Sequence, residues 1–260
     1  MRNQRDKRNG LPILTIENVS KIIGGLSILD RVSFSILPHT VTSIIGPNGA
    51  GKTTALNIIS GLMPLSSGRV VFDGRLISGL RPHQVAELEI GRTFQQTQLF
   101  KNMTVEENVM VGVQTRTRSG FLAGLIHLPR ERREERKIRK WTGDLLQEFS
   151  LLEVAAQPAG MVPLWAQKWM EIARAMAGCP RLIMLDEPTS GLNHMEIRDT
   201  RDLILRLKSQ GVTILLVEHN MDLVMDISDN VIVLNYGQKI SEGKPEEIQR
   251  NQRVIDAYLG

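Results

Sequence analysis

One cysteine, Cys179, stands in a chain of 260 residues. A single thiol excludes an internal disulfide framework and any metal site built on paired cysteines, and it suits a reducing cytosol. No apolar run approaches the ~18 residues that a membrane-crossing helix needs, so the chain is expected not to span a bilayer itself. The basic lead Met1 to Gly10 is expected to be disordered. Glu17, Asn18 and Lys21 interrupt the stretch after it, so a signal peptide is not expected. Aromatic residues make up only 4% of the chain. None is interleaved in the charged run Pro129 to Lys140, which argues against base stacking on nucleic acid there. Internal repeats, low-complexity linkers and sustained heptads are all missing. Neither charge sign dominates: the net charge is +4, a weak preference for an anionic partner such as a nucleotide or a membrane surface. The remainder is ordinary globular composition, long enough for one large α/β domain or two modest ones with a sizeable core.

What the chain does have is Gly46-Pro47-Asn48-Gly49-Ala50-Gly51-Lys52-Thr53-Thr54, which fits the phosphate-loop pattern G-x-x-x-x-G-K-[ST]. The apolar run Val41 to Ile45 predicts a strand before it, and Ala55 to Gly61 predicts a helix after it. Three glycines let the backbone bend tightly and present successive N–H groups to phosphate oxygens. The helix points its positive N-terminal end at the same place. Lys52 suits the β- and γ-phosphates, and Thr53 can place a hydroxyl on Mg²⁺.

Around this loop the pattern changes by region. Leu14 to Val19 and Val32 to Ile36 alternate apolar and polar residues, the strand period of two, and predict an antiparallel layer. Arg69 to Gly74 predicts a further strand ending in a turn. Helical spacing dominates residues 75–150; Thr104 and Glu107 are placed to form a capping box. The run Pro129 to Lys140 reads first as a solvated helical face, with Glu/Arg pairs worth ~0.2–0.5 kcal/mol each. Contact with anionic lipid headgroups is a second reading and nucleic acid a third. After residue 170 strands and helices alternate: strands at Leu182 to Leu185 and Val212 to Val217, helices at Met195 to Gln210 and Met221 to Ile227. A hairpin joins Val231–Leu234 to Gln238–Ser241 through Tyr236-Gly237. Continuous apolar strands between helices predict a mostly parallel sheet covered on both faces.

A second constellation ends the strand at 182–185. Asp186 and Glu187 are adjacent carboxylates at a carboxyl strand end, where ligands of such sheets bind. Two buried carboxylates are costly without a cation. Asp186 suits Mg²⁺, and Glu187 is placed to act on a water attacking the γ-phosphate. Leu215-Leu216-Val217-Glu218-His219 repeats the logic and brings His219 to the same edge; a capping or surface histidine is the alternative.

With these motifs in this order, the chain resembles the nucleotide-binding subunit of ATP-binding cassette (ABC) transporters. Gln95 in Arg92-Thr93-Phe94-Gln95-Gln96 precedes Glu171-Ile172-Ala173-Arg174-Ala175-Met176, then the carboxylate pair, then Ser190-Gly191-Leu192-Asn193, which looks like the D-loop, then His219. The similarity covers about residues 12–260. Within the family it looks most like the larger ATPase subunit of branched-chain amino acid importers. Ile23-Gly24-Gly25-Leu26, the insert near 115–142 and the stretches 218–225 and 254–260 suggest this; closely similar chains serve urea or short-chain amide uptake.

The resemblance implies an α/β fold. Its P-loop core would occupy about 11–92 and 170–240, with an antiparallel β layer at its start. A helical subdomain with the insert would fill about 95–169, and a tail 241–260. It implies ATP and Mg²⁺, with Thr53, Gln95 and Asp186 at the metal, Glu187 as general base and His219 on the γ-phosphate. It also implies a second ATPase subunit, so that two ATPs are sandwiched head to tail. Two permease subunits and a periplasmic solute-binding protein would complete the assembly, at the cytoplasmic face of the membrane. No nucleic-acid partner is expected.

Two stretches depart from the family pattern. The signature loop Leu-Ser-Gly-Gly-Gln should begin ten residues before Ile172, where Val162-Pro163-Leu164-Trp165-Ala166 stands. Pro163 has neither the hydroxyl nor the N–H that would meet a partner's γ-phosphate, and Leu164 and Trp165 add bulk. Trp165 and Trp169 would share a helix face, which reads either as packing or as a degenerate composite ATP site. Ile23 stands where members usually stack an aromatic on adenine, a contact worth ~1–3 kcal/mol against alanine; weaker adenine binding is expected. Two other functions compete with importer ATPase. One is a soluble ABC-type ATPase for cluster assembly, ribosomes or nucleic acid. The other is a nucleotide-binding scaffold with a slow site, favoured by the altered loop and opposed by Glu187 and His219.

Overall fold

A computed structural model describes residues 10–95, 98–114 and 129–259. Most of the basic lead, Gln96 and residues 115–128 of the expected insert lie outside them.

The chain starts with β1 (Leu14–Ile23) and β2 (Leu26–Ile36), an antiparallel pair. The main sheet opens with β3 (Val41–Ile45), and α1 (Lys52–Ile59) follows the phosphate loop. β4 (Ser67–Phe72) returns to pair with β1, and β5 (Arg75–Leu76) completes a four-stranded layer in the order β2-β1-β4-β5. A single turn, α2 (Pro82–Ala86), leads to the short β6 (Ile90–Arg92). Then come α3 (Val105–Gln114), α4 (Pro129–Glu148) and α5 (Leu164–Met176). The end of the chain alternates β7 (Leu182–Asp186), α6 (His194–Ser209), β8 (Thr213–Val217), α7 (Met221–Ile227) and the hairpin β9 (Asn230–Asn235) and β10 (Gln238–Gly243). Two short helices, α8 (Pro245–Gln249) and α9 (Gln252–Leu259), close it.

The main sheet runs β10-β9-β3-β8-β7-β6, parallel except for the β9–β10 hairpin. Every residue of β3, β7 and β8 is buried, as expected for strands covered on both faces. Alternation then divides their side chains. Leu182, Met184, Leu215 and Val217 join the core under the antiparallel layer and α1. Ile183, Leu185, Ile214 and Leu216 join the core under α3, α5 and α6. A third core, around Ile45, Val224, Val233 and Val254, lies beneath the two terminal helices.

Helix starts follow their caps. The capping box at α3 is made as the spacing predicts: Glu107 N donates to Thr104 Oγ1 at 3.1 Å, and Thr104 N donates to Glu107 Oε2 at 2.8 Å. Asn193 caps α6 by accepting from Met195 N and Glu196 N at 2.9 and 3.0 Å. Several boundaries differ from expectation: β1 and β2 run longer, to Ile23 and from Leu26, β4 is Ser67–Phe72, and two differences fall at the site. α1 begins at Lys52, ahead of the apolar pattern at Ala55, because its first turn faces the phosphate loop and needs no apolar residues. Leu164 to Ala166, expected within a loop, form the first turn of α5 behind Pro163, whose fixed φ suits a helix start.

Candidate active site

The phosphate loop sits at the carboxyl end of β3. Gly46 and Gly51 have φ of 148° and 98°, a region that L side chains rarely adopt. Space forbids a side chain as well: a Cβ on Gly46 would lie 2.0 Å from the Leu234 carbonyl oxygen, and one on Gly51 2.6 Å from Leu29 Cδ2. Lys52 is buried and donates from Nζ to the carbonyl oxygens of Gly46 at 2.7 Å and Pro47 at 3.0 Å. Those bonds hold the ammonium over the loop and leave its third N–H for an anionic oxygen. Burial lowers the Lys52 pKa, while Glu187 and Asp186 hold it up.

Asp186 ends β7, only 1% exposed. Its Oδ2 accepts from Arg92 Nη2 at 3.3 Å, and its Oδ1 is buried without a partner. Arg92 Nη1 also donates to Ser60 Oγ at 2.7 Å, just past the end of α1. Burial raises the Asp186 carboxyl above the ordinary range, and Arg92 opposes that rise. An orphaned buried carboxylate oxygen beside the phosphate loop fits a hydrated divalent cation. Among the described residues no cluster of His, Cys, Asp and Glu could hold a metal alone, so phosphate oxygens would have to complete the shell.

Glu187 follows with φ of 50°, a left-handed conformation that costs a residue with a side chain about 1–3 kcal/mol. Its N–H donates to Val217 O at 2.8 Å, and its carbonyl accepts from Lys168 Nζ at 3.2 Å and Ser190 N at 3.2 Å. The carboxylate takes one partner on each oxygen: Gln95 Nε2 on Oε2 at 3.2 Å and His219 Nε2 on Oε1 at 3.1 Å. That arrangement needs the His219 tautomer with a proton on Nε2. Buried Glu218 accepts from the main-chain N–H groups of Thr189, His219 and Asn220 at 2.9, 2.9 and 3.2 Å, fixing the turn that carries His219.

Gln95, Glu187 and His219 thus meet through hydrogen bonds, with Lys52 and Asp186 close enough to interact by charge. Ile23 ends β1, half exposed, before the left-handed Gly24. The replaced signature points inward as much as outward. Leu164 lies against Gly191, where a Cβ would come within 2.9 Å of it. The Trp165 and Trp169 rings meet edge to face at 5.3 Å, and Trp169 Nε1 donates to Thr200 Oγ1 at 3.0 Å. Arg92, Lys168, Glu171 and Glu218 also shape the site; Arg92, Glu171 and Glu218 lie in stretches quoted from the sequence, but no role was read for them there. The available signal was charge inside an apolar pattern: Glu171 stands between buried Met170 and Ile172.

Lys52 over a glycine loop on β3, with a carboxylate pair two strands along on β7, makes this a P-loop ATPase. Comparison with known proteins narrows the class. The ABC transporter family matches residues 29–190, and the branched-chain amino acid ATP-binding cassette transporter family matches residues 238–260. The chain is 43% identical to the high-affinity branched-chain amino acid transport ATP-binding protein BraF of Pseudomonas aeruginosa, over 96% of this chain and 98% of that one. It is 38% identical, with the same coverage, to the corresponding protein LivG of Escherichia coli K12. A nucleotide-free ATP-binding cassette from an ABC transporter superposes with a TM-score of 0.84 at 33% identity, covering 96% of this chain and all of that one. The chain belongs to the ABC transporter family, as one of its ATP-binding cassettes.

Proposed function

We propose that this cassette hydrolyses ATP to energise an importer of branched-chain or similarly hydrophobic amino acids. The names of the relatives above and the family match at residues 238–260 support that solute class. The partners would be a second ATPase subunit, two permease subunits and, through them, a periplasmic solute-binding protein. The cassette would then sit at the cytoplasmic membrane face; among the described residues no helix is long and apolar enough to cross a membrane.

The observation that carries the reading is the Glu187 carboxylate, held between Gln95 and His219 beside Lys52. The loop N–H groups of residues 48–54 cradle the β- and γ-phosphates, and Lys52 neutralises them. Thr53, Gln95 and the unpartnered oxygen of Asp186 would hold Mg²⁺, which offsets the charge on the phosphates. Glu187 accepts a proton as water attacks the γ-phosphorus, and the bond to the β,γ-bridging oxygen breaks to release ADP. Gln95 orients the water, and the His219 N–H turns from the carboxylate to a γ-phosphate oxygen. Ile23 gives adenine an apolar contact without ring stacking.

Glu187→Gln keeps the shape and loses the base. In the assembled transporter ATPase, turnover by this chain's site is expected to fall roughly 10²- to 10⁴-fold, with nucleotide binding retained. Unchanged turnover would sink the assignment.

A further inference from the structure

One side of α5 carries three charged residues spaced by three: Lys168, Glu171 and Arg174. Their neighbours Met170, Ile172 and Ala173 are in the core. Lys168 and Glu171 are themselves only 5% and 3% exposed. Burying charge on a helix that could have been apolar is costly, and each of the three reaches the same region. Lys168 Nζ donates to the Glu187 carbonyl at 3.2 Å. Glu171 Oε1 accepts from Phe94 N at 3.2 Å and Gln98 N at 3.4 Å. Arg174 Nη2 donates to the Gln98 carbonyl at 2.6 Å.

Phe94 and Gln98 lie on either side of Gln95 in the chain, so α5 holds main-chain groups before and after it. The Gln95 side chain itself donates to Glu187 Oε2 at 3.2 Å. We propose that Glu171, assisted by Arg174, is a positioning residue that latches the Gln95 segment to α5 and so sets Gln95 against Glu187. The inference rests on the reading of Gln95 and Glu187 as residues of the hydrolytic step. It extends that reading to α5: the helix whose first turn is the replaced signature also governs both groups nearest the γ-phosphate.

Two measurements in the assembled transporter ATPase test the latch. Steady-state ATPase at saturating Mg-ATP is compared for Glu171→Ala, Glu171→Gln, Gln95→Ala and the Glu171→Ala/Gln95→Ala double variant. Hydrogen exchange is followed over residues 94–98 and over the phosphate loop. Glu171→Ala is expected to lower kcat roughly 10- to 100-fold with KM for ATP within about twofold, since the phosphate loop is untouched. Glu171→Gln retains an accepting oxygen and is expected to recover kcat to within a few-fold of the unaltered chain. The double variant should lose no more than Gln95→Ala alone, because the latch acts through Gln95. Exchange should rise over 94–98 in Glu171→Ala and stay unchanged over 46–54. Additive losses in the double variant, or unaltered exchange over 94–98, overturn the latch. A silent Gln95→Ala overturns the role of Gln95 instead, and the exchange result then decides the latch by itself.

Discussion

Glu171 shows how one buried group ties site geometry to stability. Burial raises its carboxyl above the ordinary glutamate value, against hydrogen bonds from Phe94 and Gln98 and the charges of Arg174 and Lys168. The folded chain therefore holds this proton more tightly than the unfolded chain does. Its contribution favours folding most below the unfolded value of 4.5 and is lost as pH rises through the raised value. Glu171→Gln has no proton to lose. Thermal melts from acidic to neutral pH should show the unaltered chain losing ground to Glu171→Gln as pH rises, then levelling; parallel curves would contradict the shift. Gly51 makes a second, steric case. With φ of 98° and only 2.6 Å from a prospective Cβ to Leu29 Cδ2, Gly51→Ala strains the backbone and overpacks the contact with β2. Denaturant unfolding is expected to show about 1–3 kcal/mol of lost stability, and nucleotide binding should fail with it.

At the scale of elements, α5 is where sequence and structure part most. Val162 to Ala166 was legible as an altered signature by counting back from Ile172, yet its cost and purpose were not. Leu164 seats on Gly191, and Trp165 packs on Trp169, so the substituted residues are part of the helical layer. Replacing Pro163-Leu164-Trp165-Ala166 by Ser-Gly-Gly-Gln should therefore act in two directions. It removes an aromatic pair worth about 0.5–1.5 kcal/mol and adds glycines to a first helical turn at up to about 1 kcal/mol each, so the melting temperature should drop. It also restores a hydroxyl donor for the neighbour's γ-phosphate, and a charge-assisted bond contributes about 1.5–3 kcal/mol. ATPase by the neighbour's site in the assembled pair should rise about tenfold; no rise would mean that the altered loop does not limit that site. The strands β3, β7 and β8 and the Thr104–Glu107 box were legible because local periodicity and cap spacing encode them. The Arg92–Asp186 pair and the Glu171 grip were not. Each joins residues some 75–95 positions apart, and only the order of strands in the sheet brings them together.

At the scale of the whole molecule, the described residues supply one wall of a reaction site. His219 is 41% exposed at its side chain, and Gln95 is exposed beside it. Hydrolysis needs the γ-phosphate and one water shielded from bulk solvent, and these residues alone leave that edge open. Large apolar side chains are also exposed near the altered loop: Met161 is 81% exposed and Leu164 41%, with Leu164 on Gly191. Under the proposed pairing, a second cassette would cover such apolar side chains and close that edge, so turnover would be a property of the pair. The specific ATPase activity of the purified chain should consequently rise with its own concentration and stay low, since each copy offers its neighbour the altered first turn of α5. Adding the partner ATPase subunit should raise activity well above the sum of the separate chains. Under the same proposal, Glu187→Gln in this chain should then remove most of the gain, because the partner would complete this chain's own phosphate loop. Specific activity independent of concentration, and merely additive on mixing, would show that a single cassette closes its site unaided.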